Sequence, residues 1–228
     1  MNKTYDFSAM VPLQLENSLN KIHLIKKIII GGGVVSSNLQ KKIQLTQTDI
    51  YATYGMTETV THIALKRLNN FSSSQAKANF QRFYKILPNI KIYKDTRNCL
   101  VINAPDVSNE IIFTNDVVDL VSDKHFIWLG RYDNVINSGG IKLYPENIEE
   151  KLSKDITNRF FVIGVPDPKL GERLILIVEG TNQTINFKDS DLSNYETPKE
   201  IFFVSKFIET ETKKIQRLKT LNLIDIKI

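Results

Sequence analysis

The sequence predicts an α/β protein made of two parts, and three observations carry that prediction. Apolar runs of strand length end in glycine turns early in the chain, strands joined by tight polar turns fill its middle, and an amphipathic helix with further strands follows. Strands that alternate with helices are typical of parallel sheets, whereas strands joined by short turns are typical of antiparallel ones. We place a first part over residues 1–130 and a second over 131–228, each of ordinary domain size.

The beginning of the chain has the pattern of a parallel β/α unit. The run "LIKKIIIGGG" reads as a buried strand that enters a turn of three glycines, Gly31, Gly32 and Gly33. The following "SSNLQKKI" has the features of a helix start, with Ser36 or Ser37 as its cap. The run "DIYATYG" is the next strand, so strand, glycine turn, helix and strand follow in order.

The middle of the chain has an antiparallel character. The run "IKIYKDTRNCLVINA" reads as two strands around the polar turn 95–98. The run "EIIFTNDVVDLVSDKHFIWLGR" continues with two more strands around the turn 122–125. Consecutive strands joined by turns this short form hairpins, so we expect a meander here.

The last part of the chain predicts a small α+β domain. Pro145 stands where a first helical turn would begin, and Ile148, Leu152 and Ile156 follow at intervals of four. The runs "RFFVIGV", "ERLILIVEG" and "EIFFVSKF" then read as strands. A basic tail ends the chain.

Composition excludes several classes of protein. Among 228 residues, 42% are apolar and 24% charged, as in ordinary globular proteins, and the formal charge of +5 is too small to indicate nucleic-acid binding. The single cysteine, Cys99, excludes an internal disulfide framework and fits a reducing compartment. We find neither a signal peptide nor a membrane span, and expect a soluble cytoplasmic protein.

The stretch "IYATYGMTET" invites two interpretations. In one, Gly55 turns the chain, and Thr57 and Glu58 begin a helix. In the other, a hydroxyl and a carboxylate at the carboxyl end of a strand hold phosphates and their metal ion, as α/β proteins commonly do. The stretch alone does not decide between them.

A second stretch, "GRYDNVINSGGIKLYPENIEEKL", decides in favour of the chemical interpretation. By itself it could be a solvated linker with a hairpin turn. Together with "YGMTE" and "IIIGGG", however, it resembles the adenylate-forming superfamily of acyl- and aryl-CoA synthetases. The likeness is closest to the o-succinylbenzoate–CoA ligases of menaquinone biosynthesis, through "DFSAMVPLQLENSL", "YGMTETVTHIALKRLN" and "GRYDNVINSGGIKLYPENIEEKLS".

The resemblance implies a set of nucleotide-binding residues. The backbone at Gly31, Gly32 and Gly33 would lie against adenine, Tyr54 would contact the adenine ring, and Gly55 would allow close approach of the backbone. Thr57 would contact the α-phosphate, and Glu58 would bind Mg²⁺, a cation that prefers carboxylate oxygens. Asp116, in "FTNDVVDL", would accept hydrogen bonds from the ribose with Arg131 as its partner, although Asn115 replaces the usual glycine.

The resemblance also implies a mobile second domain. Asp133 would be the hinge, and the loop of Ser138, Gly139 and Gly140 would open a path for CoA. In the tail "PKEIFFVSKFIETETKKIQR", Lys214 would be the catalytic lysine and Arg217 the basic residue that trails it. Two alternatives remain. The catalytic lysine could be Lys213, one residue earlier, or the tail could be a basic surface cluster without a catalytic role.

The implied reaction uses ATP, Mg²⁺, CoA and the carboxylic acid o-succinylbenzoate. The family also carries a Ser/Thr/Gly-rich loop closed by lysine, which neutralises the departing pyrophosphate.

The chain lacks such a loop. The serine-rich stretch "NNFSSSQAKANF" has Lys77 but no glycine, and it reads as a surface connection. We therefore expect a chain that starts partway through the nucleotide domain, is partial as an enzyme, and self-associates through exposed sheet. A non-catalytic AMP-binding module that needs a second chain is the alternative.

Overall fold

The computed structural model of the chain describes residues 3–72, 83–187, 191–211 and 214–225. Lys77 and Lys213 lie outside the described residues. The chain divides into two compact units, Met1–Leu129 and Gly130–Ile228.

A nine-stranded sheet and two short helices make up most of the first unit. The strands are β1 (Tyr5–Met10), β2 (Ile25–Ile30), β3 (Asp49–Gly55), β4 (His62–Arg67), β5 (Tyr84–Ile86), β6 (Lys91–Lys94), β7 (Cys99–Asn103), β8 (Ile112–Ser122) and β9 (His125–Arg131). The helices are α1 (Pro12–Asn17) and α2 (Ser37–Ile43). Short 3-10 turns lie at Ile22–Leu24 and Thr57–Thr59.

The sheet changes from parallel to antiparallel along its width. Its order is β1-β2-β3-β4-β5-β9-β8-β7-β6, in which β1, β2 and β3 run parallel. From β3 onward the pairs β3–β4, β4–β5, β5–β9, β8–β7 and β7–β6 are antiparallel. The carboxyl ends of the three parallel strands therefore meet at one edge of the sheet, where α/β proteins commonly bind ligands.

Local sequence explains the parallel part. The Leu39 N–H donates to Ser36 Oγ over 3.2 Å, so Ser36 is the cap of α2. Leu39 and Ile43, four residues apart on α2, are both buried and pack with Ile28 and Ile50 of the sheet. Burial of this apolar stripe holds the helix between β2 and β3, as the pattern predicts.

The second unit is a five-stranded sheet with a helix on one face. Its strands are β10 (Ile136–Ser138), β11 (Ile141–Leu143), β12 (Phe160–Asp167), β13 (Gly171–Glu179) and β14 (Glu200–Val204), and its helices are α3 (Pro145–Leu152) and α4 (Arg217–Leu221). The order is β11-β10-β13-β12, and β14 runs parallel to β13. Ile148 and Leu152 of α3 pack on this sheet together with Ile156, as their spacing predicts. The predicted α/β class is confirmed.

The first edge of the large sheet carries exposed aromatic side chains. Tyr5 is 47% and Phe7 58% exposed on β1, which pairs with β2 alone in the sheet order. Unpaired strand edges attract further strands, so self-association stays a prediction. None of the helices in the described ranges is long and apolar enough to cross a membrane.

Candidate nucleotide site and lysine segment

A cleft of about 800 Å³ opens beyond the carboxyl ends of the three parallel strands. Gly31, Gly32, Gly55 and Thr57, four of the residues expected at the nucleotide, are among those that line it. The Gly31 N–H donates to the Met10 carbonyl over 3.1 Å, which ties the glycine turn to the end of β1. The strand ends thus bring two sequence-distant motifs to one place.

Gly55 allows two strands to pass at close range. A Cβ at this position would lie 2.5 Å from the Thr61 carbonyl oxygen and 2.6 Å from the His62 Cα. The pairing of β3 with β4 shifts register between Tyr54 and Gly55. A residue without a side chain is therefore required here, and the turn that follows can line the cleft.

The turn after Gly55 stores backbone strain at its end. Thr57 and Glu58 are exposed on the 3-10 turn, while Thr59 is buried. Val60 follows at φ 58° and ψ −39°, and the Thr61 N–H donates to the Thr59 carbonyl across it. A β-branched residue in this region is a genuine outlier of the kind that clusters at binding sites. Val60 also lines the cleft.

Asp116 is buried on β8 and accepts hydrogen bonds from two aromatic side chains. The Tyr54 hydroxyl donates to Asp116 Oδ2 over 2.6 Å, and Trp128 Nε1 donates to Oδ1 over 3.1 Å. The Asp116 N–H donates to Thr114 Oγ1, whose hydroxyl donates to the Leu100 carbonyl. The sequence predicted Tyr54 and Asp116 as nucleotide-binding residues, and the structure brings them into contact.

The ring of Tyr54 has an aromatic surrounding. It meets Phe126 edge to face, with ring centroids 5.1 Å apart, and Tyr84 at 5.7 Å. Tyr84 and Phe126 stack on each other at 5.4 Å. Such contacts fix the direction of the Tyr54 ring and hence of its hydroxyl.

In the second unit, a glycine and a glutamate approach closely. Gly130 has φ +151°, and a Cβ there would lie 2.3 Å from Glu146 Oε2 on α3. Asn134 Nδ2 donates to the other oxygen, Oε1, over 2.5 Å. Arg131, the expected ribose partner, and Asp133, the expected hinge, follow Gly130 in the chain, and both are exposed.

The expected CoA loop is the two-residue turn of a β-hairpin. Gly139 at φ +60° and Gly140 at φ +82° connect β10, which ends at Ser138, to β11. Two consecutive residues with positive φ form the turn that suits the twist of paired strands. The Gly139 N–H donates to the Leu170 carbonyl over 2.7 Å.

Lys214 is exposed at the end of a short hairpin, and Arg217 is not. Glu209 and Ile215 form an isolated antiparallel bridge just beside Lys214. Three residues later, the Arg217 guanidinium turns inward and contacts Glu149 of α3. The two basic residues of the tail motif therefore have different surroundings.

Three residues of these clusters were missed by sequence reasoning. Trp128, the only tryptophan, is brought beside Asp116 by the turn that joins β8 to β9. Glu149 lies 68 positions before Arg217, and no local pattern connects them. Val60 follows the recognised motif, yet its positive φ has no sequence signal because glycine or asparagine is usual there.

Comparison with known proteins gives several matches, although no protein-family model matches the chain. The chain is 25% identical over 229 residues to the 2-succinylbenzoate–CoA ligase of Lactococcus lactis, covering 92% of this chain and 50% of the relative. It therefore spans about half the length of the curated relatives it matches.

Solved structures extend this likeness. An AMP-forming acyl-CoA synthetase/AMP-acid ligase II-like protein of Dyadobacter fermentans is 34% identical with a TM-score of 0.55, covering 97% of this chain and 66% of that one. The o-succinylbenzoate CoA synthetase of Bacillus subtilis, in complex with its acyl-adenylate intermediate, reaches a TM-score of 0.77 at 19% identity, covering 97% and 51%. The latter match shows a shared fold.

Proposed function

Because the chain is a homologue of the AMP-forming acyl- and aryl-CoA synthetases, we propose that it binds ATP and takes part in joining o-succinylbenzoate to CoA. One observation carries the proposal: Gly31, Gly55 and Thr57 line a single cleft at the carboxyl ends of parallel strands. Open α/β sheets bind nucleotides at such places. The relatives are 2-succinylbenzoate–CoA ligases, and from them we take the acid and the thiol.

The nucleoside would be held by the residues around Asp116. Its carboxylate would accept hydrogen bonds from the ribose hydroxyls, with Arg131 as a further contact of the ribose. The Tyr54 ring would contact adenine, and the glycine backbone at residues 31–33 would lie against it. The Asp116 carboxylate already accepts from two neutral donors, the Tyr54 hydroxyl and the Trp128 indole N–H. Ribose hydroxyls are neutral donors too, so they could replace these groups or add to them.

The reaction would proceed in two balanced steps. A carboxylate oxygen of the acid attacks the α-phosphorus of ATP, and the bond to pyrophosphate breaks. The CoA thiol then loses its proton to solvent, its sulfur attacks the carbonyl carbon of this mixed anhydride, and AMP leaves. The Thr57 hydroxyl and the Lys214 ammonium would stabilise negative charge in the first step. Rotation about Asp133 would then bring the loop of Ser138, Gly139 and Gly140 toward the path of CoA.

Mg²⁺ is the metal ion that this chemistry implies, and Glu58 fits it. Mg²⁺ is usually bound by one or two carboxylates together with substrate phosphates, so a single exposed carboxylate next to Thr57 is sufficient. No cluster of three possible ligands occurs in the described part of the chain. When bound, the ion would neutralise phosphate charge.

The single thiol, that of Cys99, fits a reducing cytoplasm, which we propose as the location of the protein.

A second candidate function is an AMP-binding module without phosphate chemistry. The hydrogen bond between Tyr54 and Asp116 favours it, because this pair needs neither Glu58 nor Lys214. Both functions require the Asp116 site. They differ in whether the acid promotes exchange of pyrophosphate into ATP.

Calorimetric titration with AMP tests the shared site. Asp116→Asn should weaken AMP binding about 10-fold or more, since hydrogen bonds to charged groups contribute about 1.5–3 kcal/mol. Asp119→Asn, at an exposed position on the same strand, is the matched control and should bind as the parent does. Equal affinity of all three proteins would overturn the assignment of the site.

Pyrophosphate exchange dependent on o-succinylbenzoate separates the two functions. Exchange by the parent chain supports the ligase, and AMP binding without exchange supports the module. Lys214→Ala should abolish adenylate formation and spare thioester formation from preformed acyl-adenylate. Lys206→Ala, another exposed lysine of the second unit, is the control. Equal loss of both steps in Lys214→Ala would refute its assigned role.

A further inference from the structure

The side chain of Arg217 is held inside the second unit by three kinds of contact. Its Nη2 donates to Glu149 Oε2 over 2.9 Å, and its Nη1 donates to the Val162 carbonyl over 3.1 Å. Its guanidinium also lies over the ring of Phe161, 5.6 Å from the centroid. The arginine is therefore engaged with protein groups on two elements, α3 and β12.

Glu149 completes the arrangement. Its Oε1 accepts from the Val162 N–H over 2.9 Å and lies 2.8 Å from Arg217 Nη1. Both the N–H and the carbonyl of Val162 are thus used by this ion pair. A planar guanidinium can serve a carboxylate and a carbonyl at once, whereas a lysine ammonium lacks that fork.

The backbone between Lys214 and Arg217 is fixed by hydrogen bonds of the hairpin. The Thr210 N–H donates to the Lys214 carbonyl over 2.9 Å, and the Lys214 N–H donates to Thr210 Oγ1 over 3.1 Å. The Gln216 N–H donates to the Ile208 carbonyl over 2.8 Å. Displacement of Arg217 would therefore shift the backbone that carries Lys214.

A second attachment holds the opposite strand of the hairpin. The Ile208 N–H donates to the hydroxyl of Thr220, a residue of α4 that is completely buried. Since Arg217 begins α4, this helix attaches both strands of the hairpin to the unit. Thr210, Glu211 and Lys214, the described residues next to the hairpin end, are exposed.

We propose that Arg217 is a positioning residue, which fixes the backbone of the lysine segment by bonding Glu149 and Val162 and so sets the place of the Lys214 ammonium. Arg217 itself contacts neither nucleotide nor acid in this role. The inference rests on the proposed function only for the role of Lys214. The anchoring contacts stand on the geometry of the second unit alone.

Hydrogen exchange of the full chain tests the anchor without any need for activity. At labelling times too short for β13 (171–179) to exchange, Arg217→Ala should raise exchange at least 10-fold in peptides covering residues 208–216 and leave the β13 peptides protected. Arg217→Lys, which keeps the charge, should restore part of the protection. An unchanged 208–216 segment would overturn the proposal, as would an equal rise in both peptides. If Arg217→Ala does not fold, the isosteric Glu149→Gln should show the same selective rise to a smaller degree.

The two half-reactions give the second measurement. Arg217→Ala should lower the rate of adenylate formation at least 10-fold, with Arg217→Lys between this variant and the parent. Thioester formation from preformed acyl-adenylate should stay within about twofold of the parent rate, as expected for Lys214→Ala. Equal loss of both steps would indicate a merely structural arginine and overturn the positioning role. A parent chain without adenylation would defeat the proposed function, and the exchange measurement would still decide the anchor.

Discussion

Two carboxylates, the buried Asp116 in one unit and the partly buried Glu149 in the other, are held in opposite ways. Asp116, 6% exposed, accepts from two neutral donors, the Tyr54 hydroxyl and the Trp128 indole. Glu149 accepts instead from a guanidinium and a backbone N–H. The first arrangement uses donors of the kind that a ribose offers, whereas the second uses a cation that no substrate of the proposed reaction replaces.

The difference indicates which contacts are exchangeable. A neutral hydrogen bond contributes about 1 kcal/mol net, so a ligand hydroxyl can replace one at small cost. Removal of one partner from a buried ion pair costs about 3–5 kcal/mol, because the other charge remains. We therefore expect the Asp116 cluster to rearrange around a ligand and the Glu149 pair to stay intact.

Arg217→Ala should have the largest effect on stability. We expect a loss of about 2–3 kcal/mol, below the usual range for buried pairs, because both side chains are partly exposed and Glu149, whose pKa is already raised to about 7, can take up a proton when the cation is gone. Urea unfolding at neutral pH measures it. Lys42→Ala, which breaks an exposed pair with Glu16, should cost about 1 kcal/mol or less. Equal losses of stability in the two variants would show that the Arg217–Glu149 pair contributes no more than an exposed pair.

The pH dependence of stability should distinguish Glu149 next. Burial raises the pKa of the Glu149 carboxyl to about 7, and Glu146 adds to the rise, although Arg217 and the Val162 N–H oppose it. The folded chain then holds this proton more tightly than the unfolded chain, so the contribution to stability is full below pH 4.5 and is lost as the pH rises through 7. We expect a decline of about 2 kcal/mol from pH 5 to pH 7.

Chemical denaturation across that range checks this prediction. Glu149→Gln cannot titrate, so its stability should lack this part of the decline. If the parent and Glu149→Gln lose stability in parallel from pH 5 to pH 7, the raised pKa of Glu149 is contradicted.

Tyr54→Phe should have a smaller effect, because it removes one neutral donor from Asp116 and keeps the ring. We expect a loss of about 1–2 kcal/mol, the cost of a buried acceptor that has lost a partner. Urea unfolding measures it, with Tyr93→Phe at a 42% exposed position as the matched control. A loss as large as that of Arg217→Ala would show that the two clusters are alike.

Val60→Gly should have the smallest effect and the opposite sign. Glycine relieves a strain of about 1–2 kcal/mol at positive φ but adds entropy to the unfolded chain, so we expect a net gain of about 0.5–1 kcal/mol. Val34→Gly is the control, since Val34 is similarly exposed without positive φ, and should lose stability. A loss in both variants would show that the strain is not stored at Val60.

Sequence reasoning reached the local structure and the binding motif but not the partners across the chain. The apolar spacing of α2 and α3 and the glycine turns identify elements because their causes lie within a few residues. A resemblance to a family predicts Tyr54 and Asp116 as binding residues, but their mutual hydrogen bond spans 62 positions and has no local signal. The pairing of Arg217 with Glu149, and that of β14 with β13, depend on the packed fold. Local periodicity carries no information on such contacts.

The close approach of Gly130 and Glu146 has a consequence for related sequences. Any side chain at position 130 would meet the Glu146 carboxylate, with a Cβ at 2.3 Å from Oε2. Homologues that replace this glycine must therefore shorten or redirect the residue at position 146. Moving that carboxylate would also break its hydrogen bond from Asn134, so the positive φ at Gly130 and this contact both keep glycine at the position.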